Sequence, residues 1–474
     1  LDAVLAKIEK KQSAAQAWQS TIDARANAMA KLNDPLLAGR AAVIPDVGYR
    51  VLRLLMGSDD QRVSLPDHPV ILIAEDLSPS DTASLGRGKV LGFVTSPGGP
   101  TAHSAIIARA LSLPAVVSIG EGVLELENLT TVILNGSTGT LTIEPDAAAL
   151  GTAQAQQQAL QTAMSDAQKT AGQPATTRDG HHVEVVANIG GVADAEKAAA
   201  SGAEGVGLLR TEFLFLERTT APTEQEQFEV YRAIVRAMEG RPVIVRTLDI
   251  GGDKPLPYID VAPEANPFLG ERGIRLCLNR PELLRKQLRA ILRAAEFGPL
   301  RIMFPMVADL SEWRAARDMV AEVRAELNAP QVELGIMIEV PSAALMADAF
   351  AKEVDFFSVG TNDLTQYTLA MDRMHPSLAG KSDGLHPAVL RLIARTVEAA
   401  HAAGKWTGVC GELGADPQAV PFLLGIGVDE LSVSVPAIAS VKAQIRSLTL
   451  EDAQQLAERA LASGTAAEVR KLSP

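Results

Sequence analysis

Residues 334–363 read LGIMIEVPSAALMADAFAKEVDFFSVGTND, and this stretch contains the pattern that decides the fold. Two short apolar runs, Leu334–Val340 and Phe356–Val359, flank an amphipathic segment. Short apolar runs predict strands, and strands that alternate with amphipathic helices indicate a parallel sheet. An acidic side chain stands at or just beyond the end of each run, Glu339 in the first and Asp363 in the second.

The same alternation fills the chain from residue 173 to its C-terminus, and it predicts an α/β fold. The eight runs are Val183–Ile189, Gly205–Leu209, Val243–Leu248, Arg301–Met306, Leu334–Val340, Phe356–Val359, Trp406–Cys410 and Glu430–Val433. Eight βα units close a TIM (β/α)8 barrel, whose active site lies at the C-terminal ends of the strands. Gly273–Leu278 is either a ninth strand or an excursion after the third strand, and we predict the excursion.

The N-terminal part has a different organisation. Residues 1–60 carry apolar side chains at helical spacing and predict a partial helical subdomain. Leu1 stands where a methionine would begin a complete chain, and helical periodicity is already running there, so we expect the sequence to be part of a longer polypeptide.

A small α/β domain is predicted over residues 61–145. Its apolar, β-branched runs are His68–Leu77, Lys89–Ser96 and Thr131–Ile143. Residues 146–172 are rich in Ala and Gln and contain no aromatic residue, which predicts an exposed helical linker to the barrel over 173–474.

Composition limits the classes of partner. The formal net charge is −13, which argues against a nucleic-acid or anionic-membrane surface because those partners need clustered Lys and Arg. We find neither an apolar run long enough to span a bilayer nor a signal peptide, and we expect a cytoplasmic protein. Two cysteines, Cys277 and Cys410, are too few for a disulfide framework or a zinc cluster.

A histidine motif follows the strand predicted at Lys89–Ser96. Residues 97–109 read PGGPTAHSAIIAR, so a glycine turn places His103 near the start of a helix. Unpaired N–H groups and the helix dipole favour an anion there, and a neutral imidazole is a competent nucleophile. Thr101 is a candidate to orient the ring. A lone histidine more often caps or packs a helix, but the neighbouring residues favour a phosphohistidine.

Polar side chains stand at the ends of the predicted barrel strands. Arginine binds phosphate or carboxylate bidentately, so several arginines at one mouth indicate a small anionic substrate. The arginines in question are Arg210, Arg246, Arg272, Arg275 and Arg373. Each one taken singly is more often a surface residue or an ion-pair partner.

Two acids and a cysteine complete the predicted mouth. Glu339 and Asp363 are either Mg²⁺ ligands or buried partners of the arginines, and we favour the metal because the second alternative leaves Asn362 without a role. Cys410 ends its strand and either protonates an enolate or packs as a small apolar residue. Spacing alone does not decide between these two.

These stretches resemble enzyme I of the bacterial phosphoenolpyruvate:sugar phosphotransferase system. The histidine motif is similar to GG-x-T-[SA]-H-x-[AS]-I-x-AR, which enzyme I shares with pyruvate phosphate dikinase and phosphoenolpyruvate synthase. The barrel segments LLRTEFLF, VIVRTLDIGGDK, NPFLGERGIR, IMIEVPSA, FFSVGTNDLTQYTLAMDR and GKWTGVCGEL also match in order. The resemblance covers nearly the whole chain.

The resemblance implies a function and a role for each candidate. His103 would take the phosphoryl group of phosphoenolpyruvate (PEP) and pass it to the phosphocarrier protein HPr, with release of pyruvate. Cys410 would protonate enolpyruvate, and Glu339 and Asp363 would bind Mg²⁺. The substrate would be bound by Arg210, Arg246, Arg275, Asn362 and Arg373. For Arg272 the resemblance gives the weakest support for such a role. The family also implies a swivelling phosphohistidine domain and a homodimer through the barrel.

Residues 1–60 are short for the helical subdomain that docks HPr in this family, which puts HPr docking by this chain in question. The family includes fused multiphosphoryl transfer proteins with the phosphocarrier upstream on the same chain. Rival functions are a phosphoenolpyruvate synthase or pyruvate phosphate dikinase fragment, which would need an ATP-binding domain, and a non-catalytic PEP sensor.

Overall fold

The computed structural model describes residues 2–30, 67–75, 89–96, 113–216, 218–252, 264–373 and 377–473, with isolated positions between these ranges. Two compact units, residues 1–157 and 158–474, divide the chain. Within the described ranges, no helix is both long enough and apolar enough to cross a membrane.

The first unit begins with two helices, α1 (Asp2–Glu9) and α2 (Ala14–Ala30). A parallel three-stranded sheet follows, made of β1 (Val70–Ala74), β2 (Val90–Thr95) and β3 (Ala115–Val116). Phe93 of β2 is fully buried and forms the centre of a small core with Leu72 and Ala115. The predicted strands at His68–Leu77 and Lys89–Ser96 are therefore present, with shorter bounds.

The prediction of one apolar run over Thr131–Ile143 is wrong. The structure has an antiparallel pair there, β4 (Val132–Asn135) and β5 (Thr140–Ile143). The Asn135 carboxamide accepts hydrogen bonds from the backbone N–H groups of Ser137 and Thr138, and Gly139 has a φ of +67°. This turn chemistry reverses the chain, so the run divides into a hairpin.

Helix α3 (Ala147–Lys169) occupies most of the segment predicted as an exposed linker. Its Ala and Gln residues are strong or neutral helix formers, and its side chains up to Ala167 are exposed except for Leu150 and Ala153, which are half-buried. Ala167 is buried with Ala171 against Ala439, and all three residues belong to the second unit.

The second unit is a closed parallel barrel of eight strands, which confirms the predicted (β/α)8 fold. Its strands are β6 (Glu184–Ile189), β7 (Val206–Arg210), β8 (Val243–Arg246), β9 (Leu300–Phe304), β10 (Glu333–Ile338), β11 (Phe356–Val359), β12 (Trp406–Val409) and β13 (Glu430–Ser434). Residues 274–279 form a helix, so the predicted excursion is confirmed and there is no ninth strand among the described residues.

Helices surround the barrel. They are α4 (Val192–Ala200), α5 (Glu224–Ala237), α6 (Ile274–Asn279), α7 (Pro281–Ala294), α8 (Leu310–Leu327), α9 (Pro341–Leu345), α10 (Ala347–Phe350), α11 (Thr361–Leu369), α12 (Pro387–Ala402), α13 (Val420–Ile426), α14 (Ile438–Ser447), α15 (Leu450–Ala462) and α16 (Ala466–Arg470). Capping boxes begin α5 at Thr223 and α8 at Asp309.

Two apolar layers hold the barrel together. The larger lies between the strands and the surrounding helices, and the smaller fills the barrel interior. The interior cluster contains Leu208, Ile244, Met303, Met337, Phe356 and Cys410. Because side chains alternate along each strand, residues at every second position point inward, and the last inward positions form the mouth.

Candidate active site at the barrel mouth

Arg246 ends β8 and lies buried beneath the mouth. Its guanidinium forms an ion pair with Glu212, which follows β7, and a second one of 3.2 Å with Asp249. Burial alone would lower the pKa of Arg246, but Glu212 and Asp249 outweigh burial and raise it. Arg246 is therefore a fixed positive charge on a strand end, held by acids from both sides.

Arg272 uses all its donors within the protein. Nε and Nη2 donate to Asp249 at 3.0 Å each, while Nη1 and Nη2 donate to Asp363 at 2.9 and 3.2 Å. Nη1 also lies 3.5 Å from the hydroxyl of Tyr367. A guanidinium has five N–H groups, so these contacts occupy the whole fork. Asp249 thus joins two buried arginines, and Arg272 joins Asp249 to Asp363.

Glu339 follows β10 and carries a charge that the protein only partly compensates. One carboxylate oxygen accepts a hydrogen bond of 2.8 Å from the backbone N–H of Met306, a residue with a φ of +60°. Burial, then Asp363 and Asp249, raise the pKa of Glu339 to about 7, although Arg246 and Arg272 oppose the rise. A divalent cation between Glu339 and Asp363 would relieve this repulsion.

The donor set therefore fits Mg²⁺, which commonly takes one or two carboxylates and completes its shell with waters and substrate phosphate. A cluster of three or more His, Cys, Asp or Glu side chains arranged to hold a metal is not found in the described part of the chain. The two carboxylates alone are thus the candidate protein ligands.

Cys410 lies just past β12 and is only 2% exposed. Its thiol is 3.6 Å from the carbonyl oxygen of Val359, and burial raises its pKa to about 12. The group is consequently a protonated thiol at neutral pH. The Asn188 carboxamide donates to the carbonyl oxygens of Cys410 and Ser432 at 3.1 and 3.0 Å, which fixes the turn that carries the thiol.

The other sequence candidates stand nearer the rim. Arg210 ends β7 with an exposed side chain, and Arg373 lies 3.4 Å from Asp363. The Asn362 carboxamide accepts a hydrogen bond of 3.0 Å from the backbone N–H of Glu412, so it joins the start of α11 to the turn after β12. These three are placed at the same end of the barrel as the buried group.

Arg275 is placed apart from this group. It lies on α6, where Ile274, Leu276 and Cys277 are buried, and its side chain forms a 3.4 Å ion pair with Glu312. The turn at Gly273, with a φ of +59°, sends Arg272 into the mouth and Arg275 toward α8. The family resemblance favours Arg275 over Arg272 as a substrate ligand, whereas the contacts of the two side chains favour Arg272.

His103 and Thr101 lie outside the described residues. Sequence reasoning also missed Glu212, Asp249 and Tyr367, which hold the arginines in place. Asp249 could have been found, because it follows the end of β8 just as Asp363 follows the end of β11.

A closed barrel whose strand ends present buried arginines beside paired carboxylates defines a (β/α)8 enzyme for a small anionic substrate. Comparisons with known proteins narrow this class. Residues 164–450 match the PEP-utilising enzyme, PEP-binding domain, and residues 66–139 match the PEP-utilising enzyme, mobile domain.

Two curated relatives illustrate the similarity. A multiphosphoryl transfer protein of Rhodobacter capsulatus is 51% identical over 467 residues, which cover 98% of this chain and 56% of the relative. A phosphoenolpyruvate-protein phosphotransferase of Staphylococcus carnosus (strain TM300) is 47% identical over 463 residues, 96% of this chain and 81% of the relative. The chain thus spans little more than half of the multiphosphoryl transfer proteins. It belongs to the phosphoenolpyruvate-protein phosphotransferase family of PEP-utilising enzymes.

Proposed function

We propose that this chain transfers the phosphoryl group of PEP to its own His103, releases pyruvate, and passes the group to a histidine of HPr. The observation that carries the proposal is the buried mouth, where Arg246 and Arg272 share Asp249 beside Glu339 and Asp363. The Staphylococcus carnosus relative is named a phosphoenolpyruvate-protein phosphotransferase, which supports the same reaction.

Substrate binding falls to the arginines. Arg246 and Arg272, which are buried and pre-oriented, hold the phosphate and carboxylate of PEP, and Arg210 closes the exposed edge. Arg373 and Asn362 flank the substrate from the loop after β11. Arg275 remains the alternative that the sequence suggests, and its pairing with Glu312 supports Arg272 in that role.

Glu339 and Asp363 hold Mg²⁺ in this proposal. The ion, when bound, supplies positive charge to the oxygens of the transferring phosphoryl group. The high pKa of Glu339 supports this assignment, because burial and then the like charges of Asp363 and Asp249 raise it, and a cation would offset both effects.

Substrate and metal must break existing ion pairs to bind. Arg272 has all five N–H groups engaged, and Asp363 accepts from Arg272 with both oxygens. When Asp363 turns to the metal, two N–H groups of Arg272 become available to an anion. The exchange couples the two binding events through one ion pair.

Cys410 completes the reaction. As the P–O bond to the enol oxygen breaks and His103 takes the phosphoryl group, the electron pair returns through the enolate to its methylene carbon. The S–H proton of Cys410 then forms the third C–H bond of pyruvate and leaves a thiolate. A thiol with a pKa raised to about 12 is present in the acid form that this step needs.

The remaining proposals concern organisation. Residues 1–60 form the partial HPr-binding subdomain, 61–145 the swivelling phosphohistidine domain, 146–172 the linker and 173–474 the PEP-binding barrel. His103 lies on a different domain from the mouth in this scheme, so the reaction requires a hinge motion. We also propose a cytoplasmic homodimer through the barrel, with HPr a separate protein or fused upstream, as the multiphosphoryl transfer names suggest.

Labelling with PEP that carries radioactive phosphate tests the function. The wild-type protein should gain acid-labile label with Mg²⁺, the His103→Ala variant should gain none, and His68→Ala in the same unit should behave as wild type. Acid-labile label on His103→Ala would overturn the assignment. Labelling by ATP in place of PEP would favour the synthase or dikinase alternative.

A further inference from the structure

Glu430 is a buried acid with no role in the reaction described so far. It begins β13, at the end of the barrel opposite the mouth, and is 2% exposed. Among the described residues its Oε1 has no hydrogen-bond partner. The charged groups near it are Glu184 of β6, Arg301 of β9 and Asp429, which directly precedes it, and burial, followed by Glu184, raises its pKa to about 8.

The Glu430 carboxyl lies over a glycine, on the line between β13 and β11. Gly408 of β12 pairs with Glu430 on one side and with Ser358 of β11 on the other. A Cβ atom on Gly408 would lie 2.9 Å from Glu430 Oε1, so the carboxyl occupies the space that a side chain would need. Neighbouring strands are about 4.8 Å apart, so the two-strand separation lies within the combined reach of Glu and Ser side chains.

Ser358 connects this layer to the thiol. Its side chain is fully buried, and within the described chain its hydroxyl also has no hydrogen-bond partner. The Cys410 thiol lies 3.6 Å from the carbonyl oxygen of Val359, the residue after Ser358, and burial raises its pKa while the nearby Ser358 hydroxyl opposes the rise. Glu430 is itself close enough to raise the pKa of Cys410. The Ser358 hydroxyl and Glu430 Oε1, for which the described residues provide no hydrogen-bond partner, therefore lie one after the other behind the thiol.

The chemistry of Cys410 creates a need for such groups. Each turnover leaves a thiolate, which must regain a proton before the next substrate is protonated. The thiol is almost fully buried, so bulk water at the mouth has little access to it. A second acid on the inner side of the barrel would meet this need.

We propose that Glu430 resupplies the Cys410 proton through the Ser358 hydroxyl. The hydroxyl gives its proton to the thiolate and takes one from the Glu430 carboxyl, directly or through one water. Glu430 is left as a carboxylate beside Glu184 of β6, its partner in the strand register. Because Glu184 is exposed, solvent at the N-terminal ends of the strands returns the proton to Glu430. The inference rests on the proposed function, because it assumes that Cys410 protonates enolpyruvate.

Exchange between PEP and pyruvate tests the relay without any phosphocarrier. Pyruvate labelled with ¹⁴C and with tritium on its methyl group is mixed with PEP, Mg²⁺ and enzyme. Entry of ¹⁴C into PEP reports phosphoryl transfer. This exchange does not need protons from solvent, because the thiol can return the same hydron to carbon in each cycle. Tritium appears in water only when the Cys410 hydron exchanges with solvent.

In Glu430→Gln we expect the ratio of tritium release to ¹⁴C exchange to fall at least about tenfold, with ¹⁴C exchange within about threefold of wild type. Ser358→Ala should lower the ratio in the same way. Asp318→Asn, which removes an exposed acid on α8, should leave it within about twofold of wild type.

An unchanged ratio in folded Glu430→Gln and Ser358→Ala would overturn the relay, and so would an equal fall of both labels, which indicates a structural role. Absence of ¹⁴C exchange in the wild-type protein would instead contradict the proposed function and, with it, this inference. Thermal unfolding of each variant identifies one that fails to fold, and the other relay variant then decides.

Discussion

The two ends of the barrel interior differ in how their buried ionisable groups are stabilised. At the mouth, acids and arginines share one network of ion pairs, formed by Glu212, Arg246, Asp249, Arg272, Asp363 and Arg373. At the opposite end, where the strands begin, Glu430 lies beside Trp406, whose ring stacks on that of Phe356 with 4.7 Å between the ring centroids. Burial raises the pKa of Glu430 to about 8. Ion pairs can be exchanged for a ligand, whereas a buried acid with a pKa of about 8 keeps its proton at neutral pH. The mouth is therefore suited to binding substrate and metal, and the opposite end of the barrel is suited to holding a proton.

The largest expected effect comes from removing the proposed metal ligands at the mouth. Glu339→Gln and Asp363→Asn should each lower the rate of PEP-dependent labelling of His103 by about a thousandfold or more. Each variant loses a proposed Mg²⁺ ligand, so the negative charge of the transferring phosphoryl group is no longer compensated by the ion. Rapid-quench labelling with and without Mg²⁺ measures the loss. Full activity in either variant would show that the carboxylates are merely counter-ions of the arginines.

Asp249 should matter for stability as well as for binding. Asp249→Ala leaves Arg246 and Arg272 with one carboxylate partner fewer each, and we expect the free energy of unfolding to fall by about 3 kcal/mol. Urea denaturation measures the change. Asp318→Ala, which removes an exposed acid on α8, provides the control and should change stability by less than about 0.5 kcal/mol.

Glu430, at the end of the barrel opposite the mouth, should make the stability of the protein depend on pH. The native pKa of Glu430 is about 8 and its ordinary value is 4.5, so the native protein binds more protons than the unfolded chain between these values. Stability should therefore fall as pH rises through this window, by roughly 2–3 kcal/mol between pH 6 and 8. Glu430→Gln should be more nearly flat in the same urea titration. Parallel curves for both proteins would contradict the assignment of a proton to Glu430.

Arg272 and Arg275 provide a matched pair of arginines, one at the mouth and one apart from it. Arg272→Lys loses the fork that bridges Asp249 and Asp363, and we expect kcat/KM for PEP to fall about 30-fold. Arg275→Lys, on a side chain paired with Glu312, should change it less than about threefold. The reverse order would restore the sequence-based choice of Arg275.

Tyr367 should give the smallest effect. Its hydroxyl donates to the carbonyl oxygen of Phe268 and lies 3.5 Å from Arg272. Tyr367→Phe removes this support and should raise KM for PEP about threefold with little change in kcat. A large fall in kcat would mean that Tyr367 acts on the reacting atoms themselves.

The sequence predicted the barrel well because its strands are short apolar runs that the structure reproduces to within a few residues, such as Phe356–Val359. The hairpin over Thr131–Ile143 was missed because a polar turn lies within a run read as continuous. Glu339 and Asp363 could be predicted as neighbours, since parallel strands end at one edge.

Other features of the site depend on geometry that sequence spacing does not contain. Arg272 and Arg275 are three residues apart, and the turn at Gly273 decides which one enters the mouth. The contact of Asn188 with the carbonyl oxygen of Cys410 joins residues 222 positions apart. The position of Glu430 over Gly408 follows from the strand register of the closed barrel, which a single sequence does not specify.

A crystal structure of the protein with PEP and Mg²⁺ tests the central claim most directly, namely that the ion pairs of the mouth are exchanged for substrate and metal. We predict that Asp363 has left Arg272 and, together with Glu339, binds the metal, and that Arg272 binds an oxygen of PEP while Asp249 still holds its other edge. A bound complex in which Arg272 and Asp363 remain paired, with PEP held elsewhere, would contradict the account.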